Sequence, residues 1–567
     1  MKRSLKNIKV FSFIAAALFL ASACSKYVDK NPPDQFSDLD FWNSENNVKS
    51  FSWGFYHDMI TGYGNGLGLG DFYFSSFNDD QDNPTFEDFP KNAPASDGTW
   101  DFGDIRKANL MIARVPIVPM DEAAKNHWEG VARFFRAWRY FRLVRRFGDV
   151  PWYSQVLEIS EDSAIYKPRD PRNKVMDSVL ADLDFAVANL RSRADADPNT
   201  VNRDVALALK SRVCLFEGTY SEYNENDDAR AAKYLQECKD ASAELMKAGY
   251  GLSGHYKDVY SSNSLEGNPE VILYKNYEDG VLMHSTVGYT NGTTPMRGLT
   301  KSAVESYVCS DGLPISLSPR YKGDDNIENL RANRDGRLLE TIDFFYCYLG
   351  KLVGGMRSST GYRPAKFLPG LPQSGDTIKP GDTETIPYNI SDAPIFWLPE
   401  ILEDYAEASA ELDKLGKYTM TNQDLDISVN LLRDRDDVAP LQLSGHQGTA
   451  VNGVPFTDPA KDEDVTSLIW EIRRDRRVEL MMDGFRLADL IRWHKLDYMD
   501  SQKNPDAFLG AKVPDNAEVT INDEGYIVVY PSSSKRTVQP RNYLWPIPTG
   551  EISLYPNGAL KQNPGWE

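Results

Sequence analysis

The densest run of side chains suited to holding a ligand lies between residues 61 and 100. Tyr63, Phe72, Tyr73, Phe74, Phe77 and Trp100 are interleaved there with Asn65, Asp71, Asn78 and Asp79. Sugars present apolar C–H faces and a rim of hydroxyls, so a saccharide site needs flat aromatic surfaces beside amides and carboxylates. Tyr63, Tyr73 and Phe77 are therefore expected to supply stacking faces, and Asp71, Asn78 and Asp79 to bind hydroxyls. The segment Tyr-Thr-Asn-Gly-Thr-Thr (289–294), in a second long irregular region, adds Tyr289 and Asn291 to this ligand-binding set. Gly62, Gly64, Gly66, Gly68 and Gly70 alternate through the first part, and glycine lets a backbone approach a ligand closely. No lysine or helix start follows at the place a phosphate loop requires, so a flexible surface loop is expected. Trp100 precedes a helix and is expected to pack under the loop.

Other chemistry finds little support. Asp79, Asp80 and Asp82 could offer oxygen ligands to calcium, but the EF-hand spacing is missing and clustered loop acids are usually solvated. No other cofactor is indicated. His57, His127, His255, His284, His446 and His494 are scattered, with no H-E-x-x-H among them. Neither G-x-S-x-G nor a Walker A pattern occurs. A glycoside hydrolase needs only two carboxylates facing each other across a cleft, which chain order does not reveal.

The chain carries 63 Lys and Arg against 83 Asp and Glu, a net charge of −20, which argues against nucleic acid as a partner. Residues 1–23 read as a signal peptide: Lys2, Arg3, Lys6 and Lys9 precede an apolar run from 10 to 23. A bilayer-spanning helix needs about 20 residues, so this run is too short to span. It ends in Leu20-Ala-Ser-Ala-Cys24, which resembles a bacterial lipobox and makes Cys24 the expected lipidation site. Residues 24–38, with Pro32-Pro33, read as a tether. Cys214, Cys238, Cys309 and Cys347 show no metal-ligand spacing and are expected to be buried free thiols.

The elements that must position these residues are mostly helical. Three stretches resemble the first helix of a tetratricopeptide pair, at 136–148, 210–220 and 405–418, each followed by a second amphipathic stretch at 171–191, 227–249 and 423–437. One pair cannot bury its apolar stripe alone, so the pairs should stack. The expected fold is mainly α, a tetratricopeptide-like helical array with a loop-rich ligand-binding half and little β. It forms a single domain over 39–567, with helical pairs at about 39–250 and 393–495 and loop-rich insertions at about 61–100, 250–392 and 500–567. Arg133, Arg136, Arg139, Arg142 and Arg145 recur every three residues. A phosphate-binding stripe would look like this, but in an acidic protein a solvated or carboxylate-paired face is the default. The stretch 470–493 holds six arginines and five acids. Helical spacing pairs Glu471 with Arg474, Arg476 with Glu479, Asp483 with Arg486 and Asp489 with Arg492. Val478, Met482 and Phe485 fall on one face, so a structural helix pair locked by ions is expected, not a catalytic or nucleic-acid site.

Three motifs in that order carry a family resemblance: Arg-Arg-Phe-Gly-Asp-Val-Pro (145–151), Arg-Arg-Asp-Arg-Arg-Val-Glu-Leu (473–480) with Asp-Gly-Phe-Arg-Leu-Ala-Asp-Leu-Ile-Arg-Trp (483–493), and Asn-Tyr-Leu-Trp-Pro-Ile-Pro (542–548) with Gln-Asn-Pro-Gly-Trp (562–566). They resemble the SusD/RagB proteins, surface lipoproteins of Bacteroidetes, although Asp475 and Asp483 stand where that pattern usually has Glu. The resemblance implies a nutrient-binding protein, not an enzyme, lipid-anchored in the outer membrane and exposed at the cell surface. Its implied partner is a SusC-like TonB-dependent transporter, to which it would deliver an oligosaccharide. A RagB-like peptide binder is the first alternative and an extracellular glycoside hydrolase the second.

Overall fold

The computed structural model describes residues 41–75, 77–157, 162–290, 297–344, 346, 358–368, 389–513 and 519–567. The signal stretch, Cys24, the tether, Asn291 and Cys347 lie outside the described residues.

Amphipathic spacing produces helices where the apolar stripes place them. They are α1 (Glu45–Met59), α2 (Gly103–Arg114), α3 (Glu122–Phe147), α4 (Arg172–Asn189), α5 (Arg203–Glu225), α6 (Asp228–Leu245), α7 (Leu398–Lys414), α8 (Ser467–Glu479) and α9 (Arg486–Arg492). Local chemistry sets their ends. The Asp121 carboxylate accepts from the Ala124 N–H to start α3, and Gly148, at φ +72°, ends it. The helices pack in sequence, α2 on α3, α3 on α4, α5 on α6, α6 on α7 and α7 on α8. Phe134, Trp138, Phe141 and Val144 of α3 join Met176, Val179 and Leu183 of α4 in the main core. The stripe expected at 423–437 is buried at Leu425, Val429 and Leu432, but on two short helices, Asn422–Asp426 and Val429–Arg435. Among the described residues no helix is long and apolar enough to cross a membrane. Cys214, Cys238 and Cys309 are buried free thiols, as expected.

The β-structure is small. The hairpin of β1 (Gly64–Asn65) and β2 (Gly68–Leu69) follows α1, and β3 (Val271–Lys275) pairs antiparallel with β4 (Ala393–Trp397). The expected flexible glycine loop is thus a tight hairpin. A Cβ on Gly70 would sit 2.3 Å from the Tyr63 carbonyl carbon, so only glycine closes it.

The arginine-rich stretch is structural, but its pairing is mostly long-range. Glu471–Arg474 and Asp489–Arg492 form at 3.1 and 2.8 Å, as helical spacing predicts. Arg476 and Glu479, both within α8, turn to distant partners instead of each other, and Asp483–Arg486 does not form across the break that follows. The helix stops at Glu479, and Met482 (φ +66°) and Gly484 (φ +83°) break its phase before α9 begins. Val478, Met482 and Phe485 therefore share no single helical face. Asp483 meets Lys366 at 2.8 Å, and Arg486 meets Asp79 at 2.7 Å. Glu479 accepts from Arg337 and Arg435 at 3.0 and 2.9 Å. Buried α7 faces the same arginines, with Arg476 on Asp404 at 2.7 Å and Arg492 on Glu407 at 2.6 Å.

Candidate functional site

The structure separates the sequence-predicted ligand residues. Tyr63 and Tyr73 are 1% and 0% exposed, and their hydroxyls donate to the carbonyls of Tyr260 and Arg297 at 2.9 and 3.1 Å. Their rings join the core of the loop-rich half beside Phe72 and Phe367, so the stacking role expected of them does not fit. Asn78 shapes a turn, its side-chain oxygen accepting from the N–H groups of Asp80 and Gln81 at 2.8 and 3.2 Å. Asp79 is fully buried, and although burial opposes ionisation, the Arg477 and Arg486 charges hold its carboxyl well below the usual range. Arg477 also meets Asp80 at 2.7 Å. The oxygens of Asp79 and Asp80 are thus engaged by guanidinium groups, those of Asp82 are buried without a hydrogen-bond partner, and among the described residues no cluster of His, Cys, Asp and Glu is placed to hold a metal. Tyr289 is half-buried against the same core. Trp100 packs edge-on against Phe147, beneath the surface as expected. Asp71 remains exposed and Phe77 half-buried, and both line a cavity beside α3. Alternation of aromatic and polar residues reads the same for a ligand-facing loop and for one tucked between helices. Only the contacts with residues 260, 297 and 477–486, far along the chain, distinguish the two.

A different surface carries saccharide-like chemistry. The hairpin, the outer face of α1 and the edge of β3 enclose a pocket of about 590 Å3 lined by Trp53, His57, Asn65, Tyr274 and Asn276. Trp53 is 44% exposed and lies 5.2 Å from the Tyr56 ring, with the Lys49 ammonium 5.9 Å from its ring centroid, an aromatic surface partly open to solvent. Asn65 and Asn276 place exposed amides at the rim. The side chain of Asn199 covers the β3 edge, its oxygen accepting from the Tyr274 N–H at 3.1 Å and its amide donating to the Tyr274 carbonyl at 2.9 Å. Asp58, the carboxylate among the described lining residues, is engaged by Lys107 and by His57 at 2.8 Å. That arrangement offers stacking and hydrogen bonding, without a facing pair of free carboxylates. Sequence reasoning missed Trp53, yet a signal was present. The buried positions of α1 are Val48, Ser52, Phe55 and Met59, and Trp53 falls off that stripe.

The sequence profile of the SusD family matches residues 269–566, more than half of the chain. The chain belongs to the SusD family. A second profile, described as starch-binding and associating with the outer membrane, matches residues 98–208. SusD-like protein P38 of Formosa agariphila is 26% identical, over 87% of this chain and 92% of that protein. A SusD-like carbohydrate-binding protein from Bacteroides fragilis superposes with a TM-score of 0.67 at 21% identity, covering 91% of this chain and 99% of that one. A laminarin-binding SusD-like protein gives a TM-score of 0.52 at 19% identity, covering 92% and 100%. These superpositions establish the SusD-like fold, a mainly helical array with small sheets, as the sequence predicts.

Proposed function

We propose that this SusD-family protein binds an oligosaccharide in the hairpin pocket, at the cell surface, and passes it to a SusC-like TonB-dependent outer-membrane transporter. The observation that carries the reading is the partly open Trp53 face over a pocket rimmed by amides. Peptide binding by strand addition needs a free strand edge, and Asn199 occupies that of β3 at Tyr274, so the pocket favours a sugar. The reading involves no catalysis. Laminarin and starch oligosaccharides are the first probes, since a structural neighbour binds laminarin and one matching profile is named for starch. Trp53→Ala is expected to weaken binding of the oligosaccharide that binds best by about 1–2 kcal/mol, read as a roughly five- to thirty-fold rise in Kd by calorimetry. The melting temperature should stay within a degree or two, because the ring is almost half exposed. Unchanged affinity in a folded variant would remove the pocket from consideration.

Attachment rests on Cys24 in the same reading, through a covalent lipid on the tether. Cys24→Ala is expected to move the protein from the membrane to the soluble fraction without changing its melting temperature. Retention of the variant on membranes after a high-salt wash, in cells lacking the transporter, would count against lipidation. Leu67, Leu69 and Val281 are 63%, 55% and 76% exposed around the hairpin, where the Gly66 N–H donates to the Met283 carbonyl. These apolar side chains are surface that a partner would cover, as a stable transporter complex burying more than about 1,000 Å2 requires.

A further inference from the structure

The arginine stripe of α3 divides into two halves with different surroundings. Arg133 and Arg136 meet Asp182 at 2.9 and 2.7 Å. Arg139 lies 3.5 Å from Asp101 and donates to the carbonyls of Thr99 and Asp101. For these three the carboxylate-paired face expected from the sequence is correct. Arg142 and Arg145 break the pattern: among the described residues neither makes an ion pair or a hydrogen bond. Their guanidinium groups lie instead near the rings of Trp138 and Phe141, at 5.0 and 5.4 Å.

Both arginines line two contiguous cavities of about 230 and 660 Å3, which share Asp71, Ser75, Arg142, Arg145 and Gly484. The other charges on these walls are occupied. Arg146 meets Asp97 at 2.8 Å, Arg212 holds Glu400, and Asp483 is bound by Lys366 at 2.8 Å. Glu87 lies 3.5 Å from Arg297, and Asp88 accepts from the Phe89 N–H at 2.8 Å. Asp71, exposed at the hairpin base, and exposed Asp88 are the acids left on these walls without an ion pair among the described residues, and neither pairs with Arg142 or Arg145. Two like charges three residues apart on one helix face repel each other. Burial adds to that cost, pulling the Arg145 guanidinium down to about 10 and lowering Arg142 as well. The crevice between α8 and α9 offers a contrast. It too is lined by arginines, Arg473, Arg474, Arg477 and Arg486, and there each one has a carboxylate partner.

We infer that Arg142 and Arg145 form a binding site for an oxyanion, a carboxylate, sulfate or phosphate group, entering the cavity between α3, the hairpin base and Gly484. Paired guanidinium forks match such groups with short, charge-assisted hydrogen bonds. The larger cavity far exceeds the roughly 30 Å3 share of one water molecule, and Phe77 and Trp545 form apolar wall beside the charges. That space admits an anionic group carried on a sugar ring as well as a free inorganic ion. The site is distinct from the hairpin pocket and does not depend on the function proposed for that pocket.

Calorimetry with sodium sulfate, inorganic phosphate, trigalacturonate and the neutral methyl ester of trigalacturonate tests the inference. Wild-type protein should bind at least one of the anions, with affinity falling as NaCl is raised. The double variant Arg142→Gln/Arg145→Gln should bind that anion at least tenfold more weakly. The unliganded double variant should also melt no lower than wild type, since an uncompensated repulsion has been removed; a purely structural pair would give a lower melting temperature. Trigalacturonate binding without binding of sulfate, phosphate or the ester identifies a saccharide-borne carboxylate, whereas comparable sulfate or phosphate binding identifies a free oxyanion. Trp53→Ala should leave the anion affinity unchanged, which separates this site from the hairpin pocket. Absence of binding by all three anions, or equal binding by the double variant, overturns the inference. If the glutamine variant does not fold, Arg142→Lys/Arg145→Lys keeps the charge and loses the forks. It should bind at least threefold more weakly, and unchanged affinity overturns the inference.

Discussion

Glu479→Ala is expected to lower unfolding stability by about 3–5 kcal/mol at pH 7, the usual consequence of removing one partner from a buried ion pair. Glu479 ends α8 with 1% of its surface exposed and accepts from two arginines, Arg337 and Arg435, at 3.0 and 2.9 Å. Arg337 belongs to the loop-rich half and is 0% exposed, so it cannot turn to water when its partner is removed. It would keep Asp335 and Asp475, at 2.8 and 3.1 Å, while Arg435 would keep Asp436 at 2.7 Å. The loss therefore falls in the lower part of the range if those contacts tighten, and in the upper part if they hold their present geometry. Glu479→Gln preserves shape and some hydrogen bonding but not charge, and should lose about half as much. Urea unfolding of the three proteins measures the series. A loss below about 1 kcal/mol for the alanine variant would mean that the arginines regain water, contrary to the burial described. The two arginine charges hold the Glu479 carboxyl below its usual range despite its burial. Its contribution is accordingly present above the unfolded carboxylate pKa and lost as pH falls through the lower folded value.

The same cluster shows what can be read from a single sequence. Glu471–Arg474 and Asp489–Arg492 follow from spacing alone. Asp483–Arg486 does not form because positive φ at Gly484 resets the helical phase between its partners, and Arg476–Glu479, although inside α8, loses to partners far along the chain, Arg476 to Asp404 and Glu479 to Arg337 and Arg435. The helical array was legible for a similar reason: apolar residues recurring at 3.6-residue spacing determine which face is buried whatever covers it. The candidate site was less legible. Tyr63 and Tyr73 sit among glycines and acids, and their burial depends on Tyr260 and Arg297, about two hundred residues away. Trp53 was overlooked because polar residues along α1 blur its stripe. The arginines of α3 looked uniform at three-residue spacing, yet Asp182 reaches only the first two and Asp101 the third. Nothing in the local sequence marks Arg142 and Arg145 as the pair left facing a cavity.

The second large effect concerns pH. Asp82 is 1% exposed in the two-residue strand Gln81–Asp82, and neither of its carboxylate oxygens has a hydrogen-bond partner. Burial pushes its carboxyl up to about 8, against the pull of the Arg536 charge. Burial likewise raises Glu270, Asp436 and Glu222, each to about 7. These groups are protonated in the folded protein over a range where the unfolded chain has already ionised. Folding then takes up protons, so stability decreases as pH rises from the unfolded carboxylate value near 4 through the folded values of 7 to 8. Glu479, Glu407 and Asp489 have lowered values and act in the opposite sense, their stabilisation being lost below about pH 4. The melting temperature should therefore peak in mildly acidic solution and decline toward pH 8.5. Asp82→Asn keeps the shape and removes the titration. Because one pKa unit corresponds to 1.36 kcal/mol, it should stabilise the protein at pH 8.5 by at most about 5 kcal/mol relative to wild type, and by about 1–3 kcal/mol if water partly reaches the charge. At pH 4 the two proteins should melt within a few degrees of each other, since the aspartic acid is then neutral in the folded state and about half protonated in the unfolded one. Thermal melts at pH 4, 5.5, 7 and 8.5 decide the matter. A difference between variant and wild type that stays constant across that series would show that Asp82 does not titrate between its folded and unfolded states. A difference that widens steadily with pH would identify it as a buried acid held neutral by the fold.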